Sequence, residues 1–262
     1  MRYSLQQLAS IFNIEPKGTP LSAFELEHLL TDSRSLVSSE RTVFFAINGE
    51  RNNGNNYIPE LYKKGVRVFV VSDELSIDFG LLFPKAVFFQ VPNVIAALQQ
   101  VAKFHRSQFS LPIIGITGSN GKTIVKEWLH QLLFIDFQII RSPKSYNSKI
   151  GVPLSVWGID KTHTLGIFEA GISTTGEMDV LEDVIQPNIG ILTSIGTAHD
   201  DGFSSTKEKV DEKIKLFKKC ETVIYCKDDA FVDEIIYNNN NSKKTCFSWS
   251  KKQKTDLQIA DI

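Results

Sequence analysis

The stretch from Gly115 to Thr123 constrains this chain more than any other, because it joins an apolar run to an amphipathic one through a glycine-rich turn. Residues 111–116 are mostly apolar and residues 127–134 have helical spacing, which predicts a strand, a turn and a helix. Backbone amides at the start of such a helix favour a polyphosphate. Lys122 is placed to reach the outer phosphates and the Thr123 hydroxyl to bind magnesium. The sequence therefore predicts a nucleotide site.

The match to the general phosphate-loop pattern is incomplete at one position. That pattern has glycine five residues before Gly121, where this chain has Ile116, and glycines lie at 115 and 118 instead. The Gly-Lys-Thr end of the pattern is intact. The alternative interpretation is a glycine-rich turn with an incidental lysine, and the flanking strand and helix patterns favour the nucleotide site over it.

Composition places the chain among ordinary globular proteins and argues against two kinds of partner. A length of 262 residues suffices for about two domains. The net charge of −1 predicts no broad contact with nucleic acid. No apolar run is long enough to span a membrane and residues 1–12 lack a signal-peptide core, so we expect a cytoplasmic protein. Cys220, Cys226 and Cys246 have the spacing of neither a disulfide framework nor a zinc site.

The order of element types predicts an α/β fold with two domains, residues 1–108 and 109–262. The predicted elements of the first are helices at 4–12, 57–64 and 92–106 and strands at 42–47, 67–72 and 86–91. In the second they are strands at 113–117, 138–141, 164–169, 188–193, 222–225 and 244–247, with helices at 122–134, 151–157, 177–185, 206–218 and 229–237. Regular alternation of strand and helix predicts a parallel sheet that binds ligands at the carboxyl ends of its strands.

Three polar residues lie where such a sheet would bind a nucleotide. Glu169 ends a predicted strand, His199 follows the next one, and Asn147 lies in the loop after the second strand. Each has an ordinary interpretation by itself: a solvated glutamate, a surface histidine and a turn asparagine. Because a phosphate loop precedes them, their combination favours a metal and nucleotide site instead.

Together these residues resemble the Mur ligase family of peptidoglycan biosynthesis. The similarity rests on the motifs at 117–123, 146–154, 169–171 and 195–199, and it covers nearly the whole chain. Within the family, residues 32–34 and 43–51 are most similar to the branch that adds D-alanyl-D-alanine.

The resemblance implies an ATP- and magnesium-dependent ligase that joins D-alanyl-D-alanine to UDP-N-acetylmuramoyl-tripeptide through an acyl phosphate. It implies that residues 1–108 bind the UDP end of that substrate and that residues 109–262 are part of the central ATP-binding domain. By matching motif, the nucleotide-binding residues are Gly118, Ser119, Asn120, Gly121, Lys122, Thr123 and Asn147. The implied metal ligands are Thr123, Glu169 and His199, and the implied catalytic residues are Lys122, Glu169, His199 and Lys213. The implied UDP-sugar residues are Ser33, Arg34, Asn48 and Gly49.

Lys213 has two interpretations that the sequence leaves open. It aligns with a lysine that many family members carry as a carbamate near a second metal ion. The helix predicted at 206–218 has Val210, Ile214 and Phe217 on one face, with several lysines around them. Lys213 could therefore equally be one of the solvated lysines beside a buried stripe.

The chain departs from the family in three places. Asn53-Gly54-Asn55 stands where the family usually has Asp-Gly-His, so contacts to the UDP substrate are expected to differ. Residues 226–229, Cys-Lys-Asp-Asp, stand where the adenine side usually has Asn-x-Asp-Asp, so an amide contact to the base is in question. Family members continue through the rest of the central sheet and a third domain, so the resemblance implies a partial ligase that binds ligands weakly and does not turn over alone.

Other functions remain open from the sequence. A ligase of the same superfamily could add another amino acid or act like a folylpolyglutamate synthetase, although residues 32–34 favour the branch with a UDP domain. A non-catalytic nucleotide-binding module would share the phosphate loop. A small-molecule phosphate-loop kinase would leave residues 1–108 without a function.

Overall fold

A computed structural model describes residues 2–19, 21, 23–49, 52–72, 79–196, 202–239 and 244–260. The chain divides into two compact units, Met1–Phe104 and His105–Ile262, where the sequence predicts a division after residue 108. Both units are α/β, as expected. Within the described part of the chain, none of the helices combines the length and the apolar content that crossing a bilayer requires.

The first unit is built on a five-stranded sheet with the order β2-β7-β6-β5-β4. Its strands are β1 Tyr3–Ser4, β2 Lys17–Gly18, β3 Glu25–Leu26, β4 His28–Leu30, β5 Thr42–Phe45, β6 Val68–Ser72 and β7 Val87–Val91. Its helices are α1 Leu5–Phe12, α2 Ile58–Lys63, α3 Phe79–Leu82 and α4 Val94–Ser107, the last of which crosses the boundary between the units. Strands β4 to β7 pair in parallel, and β2 pairs with β7 antiparallel at the edge.

The core of the first unit explains why its strands are apolar along their whole length. Phe44 of β5, Phe69 of β6 and Phe88 of β7 are buried together, and Phe69 stacks on Phe88 with ring centroids 5.1 Å apart. Strands covered on both faces read as continuous apolar runs, which is why their β-branched and aromatic content was enough to predict them. At α1, the Ser4 hydroxyl accepts from the Gln7 amide and the Gln7 side chain accepts from the Ser4 amide, so the helix begins with a full capping box.

The second unit is a parallel sheet of seven strands with the order β14-β13-β12-β11-β8-β10-β9. The strands are β8 Ile113–Thr117, β9 Ile139–Arg141, β10 Leu165–Glu169, β11 Ile189–Leu192, β12 Thr222–Cys226, β13 Thr245–Ser250 and β14 Leu257–Gln258. The helices are α5 Lys122–Leu133, α6 Gly151–Val156, α7 Glu177–Ile185, α8 Thr206–Ile214 and α9 Ala230–Asn239. The predicted alternation and parallel pairing are confirmed.

The strand order puts the glycine-rich turn at the switch point of the sheet. The chain leaves β8 for β9 on one side, and the strands from β11 onward lie on the other side of β8. Ligands of open α/β sheets bind outside the carboxyl ends of the strands at such a point. Helix α5 is held there by Val125, Leu129 and Leu133, which pack on apolar residues of β8 and β10 such as Ile116 and Ile167.

Two boundaries in the second unit differ from the sequence prediction. The helix predicted at 206–218 ends at Ile214 and continues as a 3-10 turn, Lys215–Phe217. Strand β13 extends to Ser250, and the two-residue strand β14, which was not predicted, pairs with its end. Strand β14 pairs with β13 through only two residues, Leu257 and Gln258, which is too short a segment for a residue pattern to predict.

A buried carboxylate of α8 caps helix α7, and we expect its removal to destabilise the fold. Glu212 Oε1 accepts from the backbone N–H groups of Gly176 at 2.8 Å and Met178 at 3.0 Å, and Lys215 Nζ lies 2.6 Å from Oε2. Glu212→Ala leaves these helix-start amides without their acceptor, at a cost of about 2–4 kcal/mol in unfolding free energy. Urea denaturation followed by circular dichroism measures it.

The neighbouring residue supplies a matched control for that substitution. Asp211 forms an ion pair with Lys207 in the same helix and is 37% exposed, so Asp211→Ala should change the unfolding free energy by less than about 0.5 kcal/mol. Equal effects of the two substitutions would contradict the capping role of Glu212.

Candidate active site

The turn between β8 and α5 has the backbone of a phosphate-binding loop. Gly118 and Gly121 have φ angles of +143° and +85°, which residues with a Cβ rarely adopt. Gly121 caps α5 and brings no side chain to the amides of the first turn. Those amides and the helix dipole therefore remain directed at the space in front of the turn, where an anion is favoured.

Lys122 folds over this loop. Its Nζ donates to the carbonyl oxygens of Gly118 at 2.8 Å and Ser119 at 3.3 Å. Burial lowers the pKa of Lys122, and the negative charge of Glu169 partly opposes that effect. A partly buried ammonium held by neutral carbonyls gains more from a phosphate oxygen than from its present acceptors.

Thr123 and Glu169 bring a hydroxyl and a carboxylate together beside the loop. Thr123 Oγ1 donates to Glu169 Oε2 at 3.0 Å and lies 3.2 Å from Ser145 Oγ. Glu169 closes β10 and is fully buried, so the alternative of a solvated strand-end glutamate is wrong. Its Oε1 forms no hydrogen bond and lies 2.9 Å from the ammonium nitrogen of Lys126.

The residues present fit a magnesium ion. Mg²⁺ prefers oxygen ligands and is usually held by one or two carboxylates together with phosphates and water. Within the described ranges, no group of three or more His, Cys, Asp or Glu side chains could hold a metal ion. Thr123 and Glu169 would therefore share the ion with a bound nucleotide. His199, the predicted ligand of a second metal, lies outside the described residues.

The loop after β9 reaches the same edge of the sheet. The Gly171 amide donates to the carbonyl oxygen of Asn147 at 2.8 Å, which joins this loop to the end of β10. A Cβ at Gly171 would lie 3.0 Å from the Asn147 side-chain carbon Cγ, so the glycine leaves room for the asparagine. Together with the contact of Thr123 to Ser145, these bonds connect the loop to the phosphate loop.

Two lysines of α8 are buried against this edge. Lys213 is 1% exposed, and its Nζ lies 3.3 Å from the carbonyl oxygen of Gly118. Lys209 is also 1% exposed, and its Nζ donates to the carbonyl oxygen of Gly196. The interpretation of Lys213 as a solvated surface lysine is therefore wrong. Burial, followed by the positive charges of Lys122 and Lys209, lowers the pKa of Lys213 to about 8. Its role in chemistry stays a prediction.

A cavity of about 610 Å³ lies at the carboxyl ends of β11 and β12. Cys226 and Phe231 line it, in a largely apolar wall suited to a flat base. The two carboxylates of the same segment are engaged in the fold: Asp228 accepts from Ser250 Oγ and Asp229 from the first amides of α9. Cys226 brings a thiol to this cavity, where the family usually has an asparagine amide, and whether position 226 contacts the base is not tested by the structure.

In the first unit, Ser33 and Arg34 line a cavity of about 330 Å³ together with Tyr57. Arg34 pairs with Asp32, with Nη2 2.6 Å from Oδ2, and these hydrogen bonds lower the pKa of Asp32 to about 2. Predicted residues Asn48 and Gly49 lie in the adjoining loop, which has its own bonds. These run from the Gly54 amide to Asn48 Oδ1 at 3.1 Å and from the Gly49 amide to the Asn52 carbonyl at 2.9 Å.

Two buried lysines of the site, Lys126 and Lys209, were missed by sequence reasoning. Lys126 is fully buried and lies 2.9 Å from Glu169. The available signal was its position four residues after Lys122, which places both lysines on the same side of α5.

A parallel sheet with a phosphate loop at its switch point defines a phosphate-loop nucleotide-binding protein. Comparison with known protein families identifies the family within this class. Residues 116–262 match the family described as the Mur ligase middle domain, and residues 26–110 match the Mur ligase family, catalytic domain. The chain belongs to the Mur ligase family, which confirms the resemblance seen in the sequence.

Individual relatives agree with this assignment. The chain is 34% identical over 174 residues to a UDP-N-acetylmuramoyl-tripeptide--D-alanyl-D-alanine ligase of Synechocystis, covering 66% of this chain and 37% of that protein. It is 34% identical over 198 residues to the enzyme of that name from Borreliella burgdorferi, covering 72% and 42%. The crystal structure of MurF from Acinetobacter baumannii superimposes with a TM-score of 0.85 at 26% identity, covering 96% of this chain and 54% of that one. The chain thus spans about half the length of these proteins or less.

Proposed function

We propose that this chain forms the substrate- and nucleotide-binding part of a cytoplasmic ligase that uses ATP and Mg²⁺ to add D-alanyl-D-alanine to UDP-N-acetylmuramoyl-tripeptide. The observation that carries the proposal is the convergence of Lys122, Thr123 and the buried Glu169 at the switch point of the sheet. The names of the relatives at 34% identity supply the substrates.

The proposed chemistry is activation of a carboxylate followed by amide formation. The terminal carboxylate of the tripeptide attacks the γ-phosphorus of ATP, the bond to ADP breaks, and an acyl phosphate results. The amine of D-alanyl-D-alanine then attacks the acyl carbon, and phosphate leaves. Phosphoryl transfer depends on positioning and charge neutralisation, which Lys122 and the amides of the loop supply. A magnesium ion held by Thr123 and Glu169 would add neutralising charge.

The other predicted residues take supporting roles in this proposal. Lys213 faces the phosphate loop and would add positive charge, or a carbamate, near the transferred group. Asn147 lies beside the nucleotide, and the 610 Å³ cavity beside Cys226 takes the adenine. The cavity at Ser33 and Arg34, with Asn48 and Gly49 next to it, takes the UDP end of the substrate.

Calorimetric titration of residues 1–262 tests the proposal with three ligands. We expect saturable binding of MgATP and of UDP-N-acetylmuramoyl-tripeptide, and no binding of folate. Folate binding without binding of the UDP substrate would instead support a folylpolyglutamate synthetase-like ligase. Binding of ATP alone would support a nucleotide-binding module, and absence of ATP binding would contradict the proposed site.

A further inference from the structure

Lys126 is a fully buried lysine to which neither the phosphate-loop motif nor the family motifs assign a role. It lies on α5 one turn after Lys122. A buried ammonium is stable only where charges and hydrogen-bond acceptors replace the water that it has lost. The partners of Lys126 therefore indicate its function.

The ammonium of Lys126 joins three segments of the second unit. From α5, its Nζ donates to the carbonyl oxygen of Ser142 at 2.8 Å and to that of Lys144, both in the loop after β9. The same atom lies 2.9 Å from Oε1 of Glu169, at the end of β10. One side chain thus holds the phosphate-loop helix, the loop that carries Ser145 and the carboxylate predicted to bind the metal.

The two oxygens of Glu169 are used differently. Oε2 accepts the hydrogen bond from Thr123 Oγ1, whereas Oε1 faces Lys126 without forming a hydrogen bond. The loop carbonyls take N–H groups of the ammonium, so Lys126 acts on Glu169 mainly through its charge. This arrangement keeps the carboxylate turned with Oε2 toward Thr123.

A second carboxylate near Lys126 has a partner of its own. Glu127 Oε1 lies 3.1 Å from Lys126 Nζ, but its Oε2 lies 3.1 Å from Arg141 Nη2. The Glu127 side chain is 37% exposed, whereas that of Glu169 is fully buried. Because solvent screens exposed pairs, the charge of Lys126 acts chiefly on Glu169.

We propose that Lys126 is a positioning residue that fixes Glu169 against the 142–147 loop and thereby sets the affinity of the site for the divalent cation that accompanies the nucleotide. The proposal rests on the proposed nucleotide function. It gives the two lysines of α5 different roles. Lys122 binds the phosphates, and Lys126 positions the metal ligand Glu169 and the 142–147 loop.

Three substitutions separate the charge of Lys126 from its hydrogen bonds. Lys126→Met removes both, Lys126→Gln keeps an amide donor without charge, and Lys126→Arg keeps the charge. Electron paramagnetic resonance measures Mn²⁺ binding in the presence of ADP, and calorimetry in EDTA measures ADP binding without metal. We expect the Met and Gln variants to bind Mn²⁺ about 10- to 100-fold more weakly, the range for residues that orient a metal ligand. Metal-free ADP affinity should change less than about threefold, and the Arg variant should recover part of the Mn²⁺ affinity.

Lys215→Met is the matched control. It removes a lysine that pairs with the carboxylates of Asp179 and Glu212 instead of Glu169, and should leave Mn²⁺ affinity within about twofold of the unmodified chain. Mn²⁺ affinity of Lys126→Met within threefold of the unmodified chain would overturn the proposal. Equal losses of ADP affinity with and without metal would overturn it as well. If Lys126→Met does not fold, the Gln and Arg variants decide the question.

Hydrogen exchange of the ligand-free chain distinguishes failure of this inference from failure of the proposed function. In Lys126→Met, amides of the 142–147 loop should exchange at least about tenfold faster, and in Lys215→Met they should not. If the unmodified chain binds no ADP, the proposed function fails while exchange still reports on the loop. Unchanged exchange in this loop would overturn the role of Lys126.

Discussion

Lys122→Ala is expected to lower the affinity for MgATP by about 30- to 700-fold, the equivalent of about 2–4 kcal/mol. The lysine lies over the loop, and its ammonium donates to the carbonyl oxygens of Gly118 and Ser119. When a polyphosphate binds, its oxygens would take the place of these carbonyls as acceptors. Charge-assisted bonds to phosphate are roughly twice as strong as neutral ones, and alanine can form none. Calorimetric titration with MgATP measures the loss directly.

The same substitution should not destabilise the ligand-free protein. Burial lowers the pKa of Lys122, which means that the positive charge of this side chain destabilises the folded protein when no ligand is bound. Removing the side chain relieves that cost, so the free energy of unfolding should stay equal or rise, as is common at binding sites. Loss of stability together with affinity would indicate a structural lysine instead.

Lys207→Ala is the control for charge alone. Lys207 is a lysine of α8 whose side chain is 66% exposed and pairs with Asp211. Its removal changes the net charge as Lys122→Ala does, and should alter MgATP affinity by less than about threefold because solvent screens it. ATP affinity that is equally insensitive to Lys122→Ala would exclude the loop as the phosphate site.

The elements around the site could be predicted because their signals are local. The apolar run at 113–117 ends at a glycine, and the structure places β8 over the same residues, with α5 beginning at Lys122 as predicted. The strand-end position of Glu169 was also evident from the end of an apolar run. Parallel strands align their carboxyl ends, so recognising the alternation was enough to bring these positions to one edge.

The partners of the buried lysines could not be predicted, because they are distant in the chain. Hydrophobic patterning assigns lysine to the surface, so Val210 and Phe217 were expected to be buried and Lys213 was left open. In the structure Lys213 reaches the carbonyl of Gly118, 95 residues away, and Lys126 reaches that of Ser142. Carbonyl acceptors have no residue identity, so no sequence motif records these bonds.

Gly118→Ala is expected to cost about 2–5 kcal/mol in unfolding free energy and to abolish measurable nucleotide binding. A Cβ at this position would lie 2.0 Å from Thr193 Oγ1 and 3.2 Å from the carbonyl oxygen of Ser194. The backbone φ of +143° adds strain for any residue other than glycine. The loop must therefore move, and its carbonyl contacts with Lys122 and Lys213 move with it. Urea denaturation and ATP titration measure the two effects.

Gly176→Ala separates backbone strain from the steric clash. Gly176 also has a positive φ, +87°, but a Cβ there would meet no atom within 4 Å. Its replacement should cost only about 1 kcal/mol, and ATP affinity should be retained because the residue caps α7 and does not belong to the phosphate loop. Equal losses of stability for the two glycines would show that strain alone explains Gly118.

A second substitution tests whether Thr193 is the obstacle. The Thr193 hydroxyl lies 2.7 Å from the carbonyl oxygen of Asn120 and 3.1 Å from that of Thr117, so it holds the loop in the unmodified chain. Thr193→Ala alone should therefore destabilise the loop by about 1 kcal/mol. In the double variant the nearest clashing atom is gone, and the combined loss should be at least about 1 kcal/mol smaller than the sum of the single losses. Additive losses would mean that Gly118 is required by its φ angle and by the Ser194 carbonyl, and that the hydroxyl of Thr193 can turn away.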